Sequence, residues 1–177
     1  MKSVLVTGGN GFIGTYVVEE LLARGYAVSV LDTRYRAPID AWASIVLGDI
    51  RDAVAVTEAV AHADMVIHLA GVLGTQETIA NPRPAAETNI IGGLNVFEAV
   101  TQYDVPCVNI AVGNAWSATN TYSITKATME RFAKMFADYR GTRVSVVRAL
   151  NAYGPRQAPV APWGYSKVRK IMPSFIL

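Results

Sequence analysis

The sequence predicts an α/β fold, a doubly wound parallel β-sheet with helices on both of its faces. Short apolar runs alternate along the chain with longer segments in which apolar residues recur at helical spacing. The apolar runs lack the alternating polar residues of a half-exposed strand, which is typical of parallel strands buried on both faces. A glycine-rich turn also joins the first apolar run to the first helical segment. The rule that crossovers are right-handed leaves the doubly wound arrangement as the natural solution.

The predicted elements alternate in order along the chain. Strands are predicted at residues 4–6, 27–31, 44–47, 65–69, 106–111 and 144–148. Helices are predicted between them, at residues 15–24, 53–61, 85–103 and 122–139. Asp52 suits the N-cap of the second helix, since its side chain can accept hydrogen bonds from the first turn. Gly25 and Gly141 follow the first and last helices, where glycine commonly ends a helix.

Residues 1–150 are predicted to form one sheet domain, and residues 151–177 differ from it in composition. A proline-rich loop is expected at residues 153–163, over the carboxyl edge of the sheet, where ligands of such folds bind. A short basic and apolar helix is expected at the end of the chain. No apolar run approaches the ~20 residues that span a membrane, and the first strand follows the first residues directly, without a signal peptide. A cytoplasmic location and no membrane partner are therefore expected.

Composition excludes several classes of protein. The chain of 177 residues is 51% hydrophobic and carries a net charge of +2, which is typical of a globular protein rather than a disordered one. Cys107 is the only cysteine, and the two histidines, His62 and His68, are far apart in the sequence. Neither a disulfide nor a metal site is expected, and His68 is interpreted as a packed core residue. No nucleic-acid partner is expected, because basic residues interleaved with stacking aromatics are lacking.

The glycine-rich turn carries the first functional signal. Residues 7–14 read TGGNGFIG, which fits the spacing G-x-G-x-x-G between a strand and a helix. In this pattern the glycines allow a tight turn, bring the backbone close to a pyrophosphate and let the helix pack close to the strand. The helix N-terminus then offers unpaired N–H groups and a positive dipole end to the phosphates. The turn predicts a Rossmann-type dinucleotide site that includes Gly8, Gly11, Phe12, Ile13 and Gly14.

An acidic residue at the end of the second strand refines the expected cofactor. Asp32 stands close to the position at which a carboxylate accepts hydrogen bonds from the ribose hydroxyls of the cofactor. Arg34 and Arg36 follow it and could bind a 2′-phosphate, but Asp32 would repel that group. NAD is therefore expected rather than NADP.

Tyr122 and Lys126 form the candidate catalytic pair. They are four residues apart at the start of a predicted helix, so both lie on one helix face. A phenol is a poor base at neutral pH, but a nearby ammonium favours the phenolate, which lowers the phenol pKa and allows proton exchange with a substrate hydroxyl. The lysine could also hold the nicotinamide ribose. Because a predicted dinucleotide-binding turn precedes it in the chain, this pair predicts acid/base chemistry.

Together these motifs resemble the extended short-chain dehydrogenases/reductases, of the NAD-dependent epimerase/dehydratase kind that acts on nucleotide sugars. Further motifs that carry the resemblance are residues 48–50, 68–71, 89–93 and 148–157. The resemblance implies that bound NAD oxidises a sugar hydroxyl, that a change follows at the activated carbon, and that the hydride returns. It also implies roles for residues outside the glycine turn. Asp49 and Ile50 are expected beside the adenine, Leu69, Ala70, Gly71 and Asn89 along the cofactor, and Asn151 and Arg156 near the substrate.

Three departures from the family pattern qualify this resemblance. The family carries Ser or Thr just after the fifth strand, where this chain has Val112, so Asn114 is a candidate replacement, with Ser117 or Thr119 as alternatives. The Asp and Glu that dehydratases place after that hydroxyl are also lacking, which argues against 4,6-dehydration. The substrate-binding lobe of the family is largely missing from the sequence.

The leading hypothesis is an NAD-dependent epimerase of a nucleotide-activated sugar. One alternative is a non-catalytic dinucleotide-binding member of the family, such as a sensor or scaffold, and another is a sugar dehydratase or reductase. In similar proteins the helices predicted at residues 85–103 and 122–139 pair across a dimer interface, so a homodimer is expected.

Overall fold

The computed structural model describes residues 1–35 and 43–157 of the chain. Arg36, most of the predicted proline-rich loop and the predicted C-terminal helix lie outside these residues. The six predicted strands are confirmed, and all pair in parallel within one sheet. They are β1 (Ser3–Thr7), β2 (Ala27–Asp32), β3 (Ser44–Leu47), β4 (Met65–His68), β5 (Cys107–Val112) and β6 (Val144–Ala149).

The strand order is β3-β2-β1-β4-β5-β6, the Rossmann order. β2 and β3 are added on one side of β1, and β4, β5 and β6 on the other. The strand order therefore reverses between β1 and β4, and the carboxyl ends of these two strands lie side by side. Thr7 at the end of β1 is the register partner of Leu31 on β2 and of His68 on β4. In open α/β sheets this point, where a crevice opens between neighbouring loops, is where ligands bind.

The helices follow the predicted order, and one of them contains a change of helix type. They are α1 (Phe12–Ala23), α2 (Ala53–Val60), α3 (Arg83–Ala86), α4 (Gly93–Gln102) and α5 (Thr121–Arg140). The long helix predicted at residues 85–103 is confirmed, and the structure adds that a π-helical segment, Glu87–Gly92, lies within it between α3 and α4. Apolar spacing could not reveal this segment, since one wide turn barely changes the helical period. No helix in the described residues combines the length and apolar character needed to cross a bilayer.

Alternate residues of the strands face two separate cores. Leu5, Val66 and Cys107 face the core covered by α2, α4 and α5, in which the rings of Phe97 and Phe136 lie 5.5 Å apart. Burial raises the pKa of the Cys107 thiol to about 12. The opposite faces of β1 and β2 pack against α1 in the second core, which contains Val4, Val6, Val18, Val28 and Val30. β1 and β2 contribute residues to both cores, which is why apolar residues occupy both of their faces.

Local hydrogen bonds fix where α5 begins and ends. Asn120 is its N-cap, and the Asn120 side chain accepts a hydrogen bond from the Ser123 N–H at 3.0 Å. Ser123 in turn accepts one from the Asn120 N–H, which completes a capping box. The helix ends at Gly141, whose φ of +68° suits a glycine C-cap. The box sets the first turn of α5, and that turn contains Tyr122.

We expect Asn120→Ala to lower the free energy of unfolding by about 1 kcal/mol, because it removes the N-cap acceptor of α5. Asn114→Ala is the matched control, since Asn114 is exposed and its side chain bonds to none of the described residues. Equilibrium urea denaturation of both variants measures the difference. Equal losses from the two substitutions would contradict the cap.

Candidate functional site

The glycine turn folds tightly between β1 and α1. Gly8 has φ +72°, which favours glycine, and its N–H donates to Leu31 O at 2.9 Å. A Cβ at Gly8 would lie 2.7 Å from the backbone of Ala70, and one at Gly14 would collide with the carbonyl of Gly8. The Gly11 N–H donates to Gly8 O at 3.0 Å and closes the turn. The turn is therefore a backbone cradle that side chains at these positions would fill.

Asp32 anchors the loop beside this turn. It is 8% exposed, and its two carboxylate oxygens accept hydrogen bonds from the backbone N–H groups of Asn10 and Arg34, each at 3.1 Å. The side-chain amide of Asn10 also donates to the carbonyl of Arg34. A carboxylate has about four acceptor positions, so Asp32 keeps capacity for further donors at the edge of the site.

Asp49 and Ile50 follow β3 but differ in what their side chains do. The carboxylate of Asp49 pairs with Arg51, with Nη2 and Oδ2 2.6 Å apart, and this hydrogen bond holds the Asp49 pKa below its usual range. Ile50 is 3% exposed and packs in the core, where it would meet a Cβ at Gly92. The side chain of Ile50 thus contributes to the core, and its carbonyl accepts a hydrogen bond from the Asn95 side chain at 2.9 Å.

Asn89 connects the end of β4 to α5. Its Oδ1 accepts from the Val72 N–H at 2.8 Å, and its Nδ2 donates to Val72 O and to the Thr125 hydroxyl, each at 2.9 Å. A Cβ at Gly71 would lie 2.8 Å from Asn89 Oδ1, so the loop passes very close. Asn89 holds the segment after Leu69 and Ala70 in place through bonds that its residue type alone did not reveal.

Tyr122 and Lys126 lie on the first two turns of α5. Lys126 is 6% exposed, and burial lowers the pKa of its ammonium to about 8. Burial also raises the pKa of the Tyr122 phenol, so the expected lowering of that pKa is wrong for this state of the protein. Among the described residues, no hydrogen bond joins the two side chains. Loss of solvation on burial is the cause of both shifts, since it disfavours the charged form of each group.

His68 is buried beside this pair, as the sequence predicted. Its Nδ1 lies 2.7 Å from the Thr7 hydroxyl, which also accepts from the Ala70 N–H at 3.3 Å. Burial, and then the nearby Lys126 ammonium, lower the His68 pKa to about 3. The imidazole is therefore neutral at physiological pH and forms part of the core.

The segment after β5 carries no hydroxyl where the family pattern has one. Val112 is 6% exposed and ends β5. Asn114 follows it, exposed, just before a 3₁₀ turn, Ala115–Ser117. The Asn114 side chain, the candidate replacement, makes no hydrogen bond to the described residues.

Of the two predicted substrate residues, Arg156 lies against α1. Asn151 is exposed. The guanidinium of Arg156 pairs with Glu19 at 2.7 Å and lies 4.8 Å above the ring of Tyr16, whose hydroxyl donates to Pro155 O at 2.8 Å. A groove of about 760 Å³ lies between α1 and this segment, and Phe12 and Ile13 contribute to its walls. The structure thus gives Arg156 partners on α1 that no spacing rule would connect across the chain.

A sequence model of the NAD dependent epimerase/dehydratase family matches residues 4–177. The chain belongs to this family. The resemblance drawn from the motifs is therefore confirmed. Within the described residues, no group of His, Cys, Asp and Glu side chains could hold a metal ion.

Members of the family with different activities are similar to this chain. A putative UDP-glucose 4-epimerase of Methanocaldococcus jannaschii is 29% identical over 177 residues, which cover 88% of this chain and 58% of the relative. The dTDP-glucose 4,6-dehydratase of Mycobacterium tuberculosis is 30% identical over 180 residues, which cover 87% and 54%.

Solved structures of the family share the fold. The UDP-glucose 4-epimerase of Thermotoga maritima, solved with UDP-glucose, is 29% identical with a TM-score of 0.86, covering 98% of this chain and 61% of that one. The UDP-glucose 4-epimerase of Thermus thermophilus, solved with NAD, is 32% identical with a TM-score of 0.83, covering 90% and 58%. The chain spans little more than half the length of these relatives.

We expect the burial of Lys126 to make stability rise with pH. Between its folded pKa of about 8 and its ordinary value of 10.5, the unfolded state binds more protons, so the free energy of unfolding increases, by on the order of 3 kcal/mol in all. Lys126→Met should be more stable than the wild type near pH 7. The difference between their free energies of unfolding, called the gap below, should narrow as the pH rises.

Urea denaturation of both proteins from pH 7.5 to 9.5 measures this gap. Cys107 and Tyr122 act in the opposite direction at high pH, because burial raises their pKa values. Their effects are common to both proteins and cancel in the difference. A gap that does not change with pH would contradict the burial of the Lys126 ammonium.

Proposed function

We propose that the protein is an NAD-dependent enzyme that acts on a nucleotide-activated sugar, with epimerisation as the leading reaction. The observation that carries this proposal is the pair of half-buried Tyr122 and buried Lys126 at the carboxyl edge of the sheet, the same edge that holds the glycine turn. The relatives supply the substrate class, since their names include UDP-glucose 4-epimerases and dTDP-glucose 4,6-dehydratases.

The residues present fit an NAD site. The backbone cradle of Gly8, Gly11 and Gly14 would hold the pyrophosphate against the N-terminus of α1. Asp32 would accept hydrogen bonds from ribose hydroxyls with the acceptor capacity it retains. NAD, when bound, supplies the hydride acceptor and donor for the sugar.

The catalytic side chains would move a proton. Tyr122 would take the proton of the reacting sugar hydroxyl through its phenol oxygen and later return it. Lys126 would hold the nicotinamide ribose and favour the phenolate form of Tyr122. Burial raises the pKa of the Tyr122 phenol in the structure. The Lys126 ammonium would therefore favour the phenolate once cofactor and substrate are bound, when hydrogen bonds to the ammonium help it to keep its charge.

The segment after β5 favours epimerisation over dehydration. Dehydratases of the family place an Asp and a Glu just after the hydroxyl residue, and the run from Ala111 to Trp116 contains neither. A second candidate function is dinucleotide binding without turnover. It is favoured by one observation, that Val112 supplies no hydroxyl and that the Asn114 side chain is exposed to solvent.

We expect Tyr122→Phe to reduce sugar conversion by roughly 10²-fold or more, because it removes the acid/base oxygen. NAD content should not change, since the glycine turn and Asp32 are untouched. The purified proteins are examined by native mass spectrometry and denatured to release NAD. Each is then incubated with UDP-glucose or dTDP-glucose, and the products are separated by chromatography.

The outcomes distinguish the two candidate functions. Conversion that depends on Tyr122 supports the enzyme, with Asn114→Ala testing the replacement for the missing hydroxyl. Bound NAD with no conversion of either sugar supports dinucleotide binding without turnover. A protein that neither contains nor binds NAD contradicts both.

We also propose a homodimer formed through α4, the π-helical segment and α5. Half of the apolar residues on these helices cover the sheet, so they are not free for a partner. Those buried against the sheet are Val96, Phe97, Val100, Met129 and Phe136. Those left partly or fully exposed are Ile91, Leu94, Ile124, Phe132 and Met135. This second set is the proposed interface.

The dimer has a direct test by light scattering after size exclusion. We expect the wild type at twice the 19.1 kDa of the chain. Ile124→Glu should shift it towards the monomer, because Ile124 is 48% exposed within the proposed interface. Ile79→Glu is the control, since Ile79 is 57% exposed but lies outside these helices. A folded wild type at 19.1 kDa would exclude the interface.

A further inference from the structure

Three polar residues form a row across the middle of the sheet. Thr7 on β1 is the register partner of His68 on β4, and His68 is the register partner of Asn109 on β5. All three are sealed from solvent, at 0%, 2% and 1% exposed. Register partners on parallel strands point to the same face, so the three side chains lie in one line.

The row faces α5. Side chains alternate between faces along a strand, so each member shares its face with the residue two positions before it. Those residues are Leu5, Val66 and Cys107, and all three belong to the core covered by α4 and α5. Met129 of α5 packs in that same core.

Lys126 lies close to the row, near enough to its middle member, His68, to act on it electrostatically. In a parallel β-α-β crossover, α5 runs antiparallel to β5. Moving towards the N-terminus of α5 and moving towards the C-terminus of β5 therefore lead to the same edge of the sheet. From Met129 to Lys126 is about 4.5 Å of helix, and from Cys107 to Asn109 is about 7 Å of strand. The Lys126 ammonium is also close enough to lower the pKa of His68.

The side chains of Asn109 and Lys126 are both without hydrogen-bond partners among the described residues. Thr7 and His68 are hydrogen-bonded to each other, but the amide oxygen and nitrogen of Asn109 are buried with no hydrogen bond. Among the described residues, Lys126 has no hydrogen bond or ion pair. Unpaired buried polar groups are costly and rare, and an amide oxygen is the complement of an ammonium.

We propose that Asn109 is a positioning residue for Lys126, and that its amide oxygen accepts a hydrogen bond from one internal water that in turn accepts from the ammonium. This holds the charged amine under Tyr122 from the protein side, while the cofactor side of the amine is left for a ribose. The inference builds on the proposed function for its catalytic meaning. The hydrogen bond itself depends only on this chain.

The test follows the ionisation of the Lys126 amine by NMR of ¹³C-labelled lysine, with Lys126→Met assigning the signal. Three other titratable groups face this region, His68 on β4, Cys107 on β5 and Tyr122 on α5. Asn109→Leu keeps the size of the side chain and removes the acceptor, so the Lys126 midpoint should fall by roughly one pH unit. Asn109→Asp adds a negative charge and should raise it.

The outcomes separate positioning from a purely structural role. A structural role would change the stability of these variants but leave the Lys126 midpoint where it is, and that result would overturn the proposal. If Asn109→Leu does not fold, Asn109→Asp still has to raise the Lys126 midpoint, and an unchanged midpoint in that variant would also overturn the proposal. The readout needs neither NAD nor a sugar, so it is independent of the proposed function.

Discussion

The three hydrogen bonds of Asn89 join the two halves of the candidate site. One half is the loop at the end of β4, where the backbone of Ala70 lies directly against Gly8 of the glycine turn and Val72 bonds to Asn89. The other is the first part of α5, reached through the Thr125 hydroxyl next to Lys126. The wide π-helical turn at Glu87–Gly92 contains Asn89, and such turns are frequent at functional sites. Because the oxygen and the nitrogen of the Asn89 amide are both hydrogen-bonded, the loop and the helix are linked and cannot move independently.

Much of the fold could be predicted from the sequence because its determinants are local. Each strand is a short apolar run, and the cap of α2 depends on Asp52 and the N–H groups of the next turn, where its side chain binds Val54 N at 2.9 Å. The glycine turn is also local, since spacing within it decides its conformation. Strand order then followed from the handedness of crossovers rather than from any one residue.

What could not be predicted depends on residues far apart in the chain. Nothing near Arg156 indicates that its partner is Glu19, and nothing near Asn89 indicates Thr125. The state of Tyr122 and Lys126 could not be predicted for a different reason. Their spacing is a local property, but the pKa of each depends on how deeply α5 is buried, and burial is a property of the whole fold.

The single cysteine gives the chain an internal reporter of motion. Cys107 is sealed in the core beneath α5, and its thiol is protonated and out of reach of reagents while the helix is in place. A thiol reagent can therefore label the protein only when α5 lifts from β5 or the chain unfolds. The labelling rate would read the opening of the helix that carries Tyr122 and Lys126, with no engineered probe.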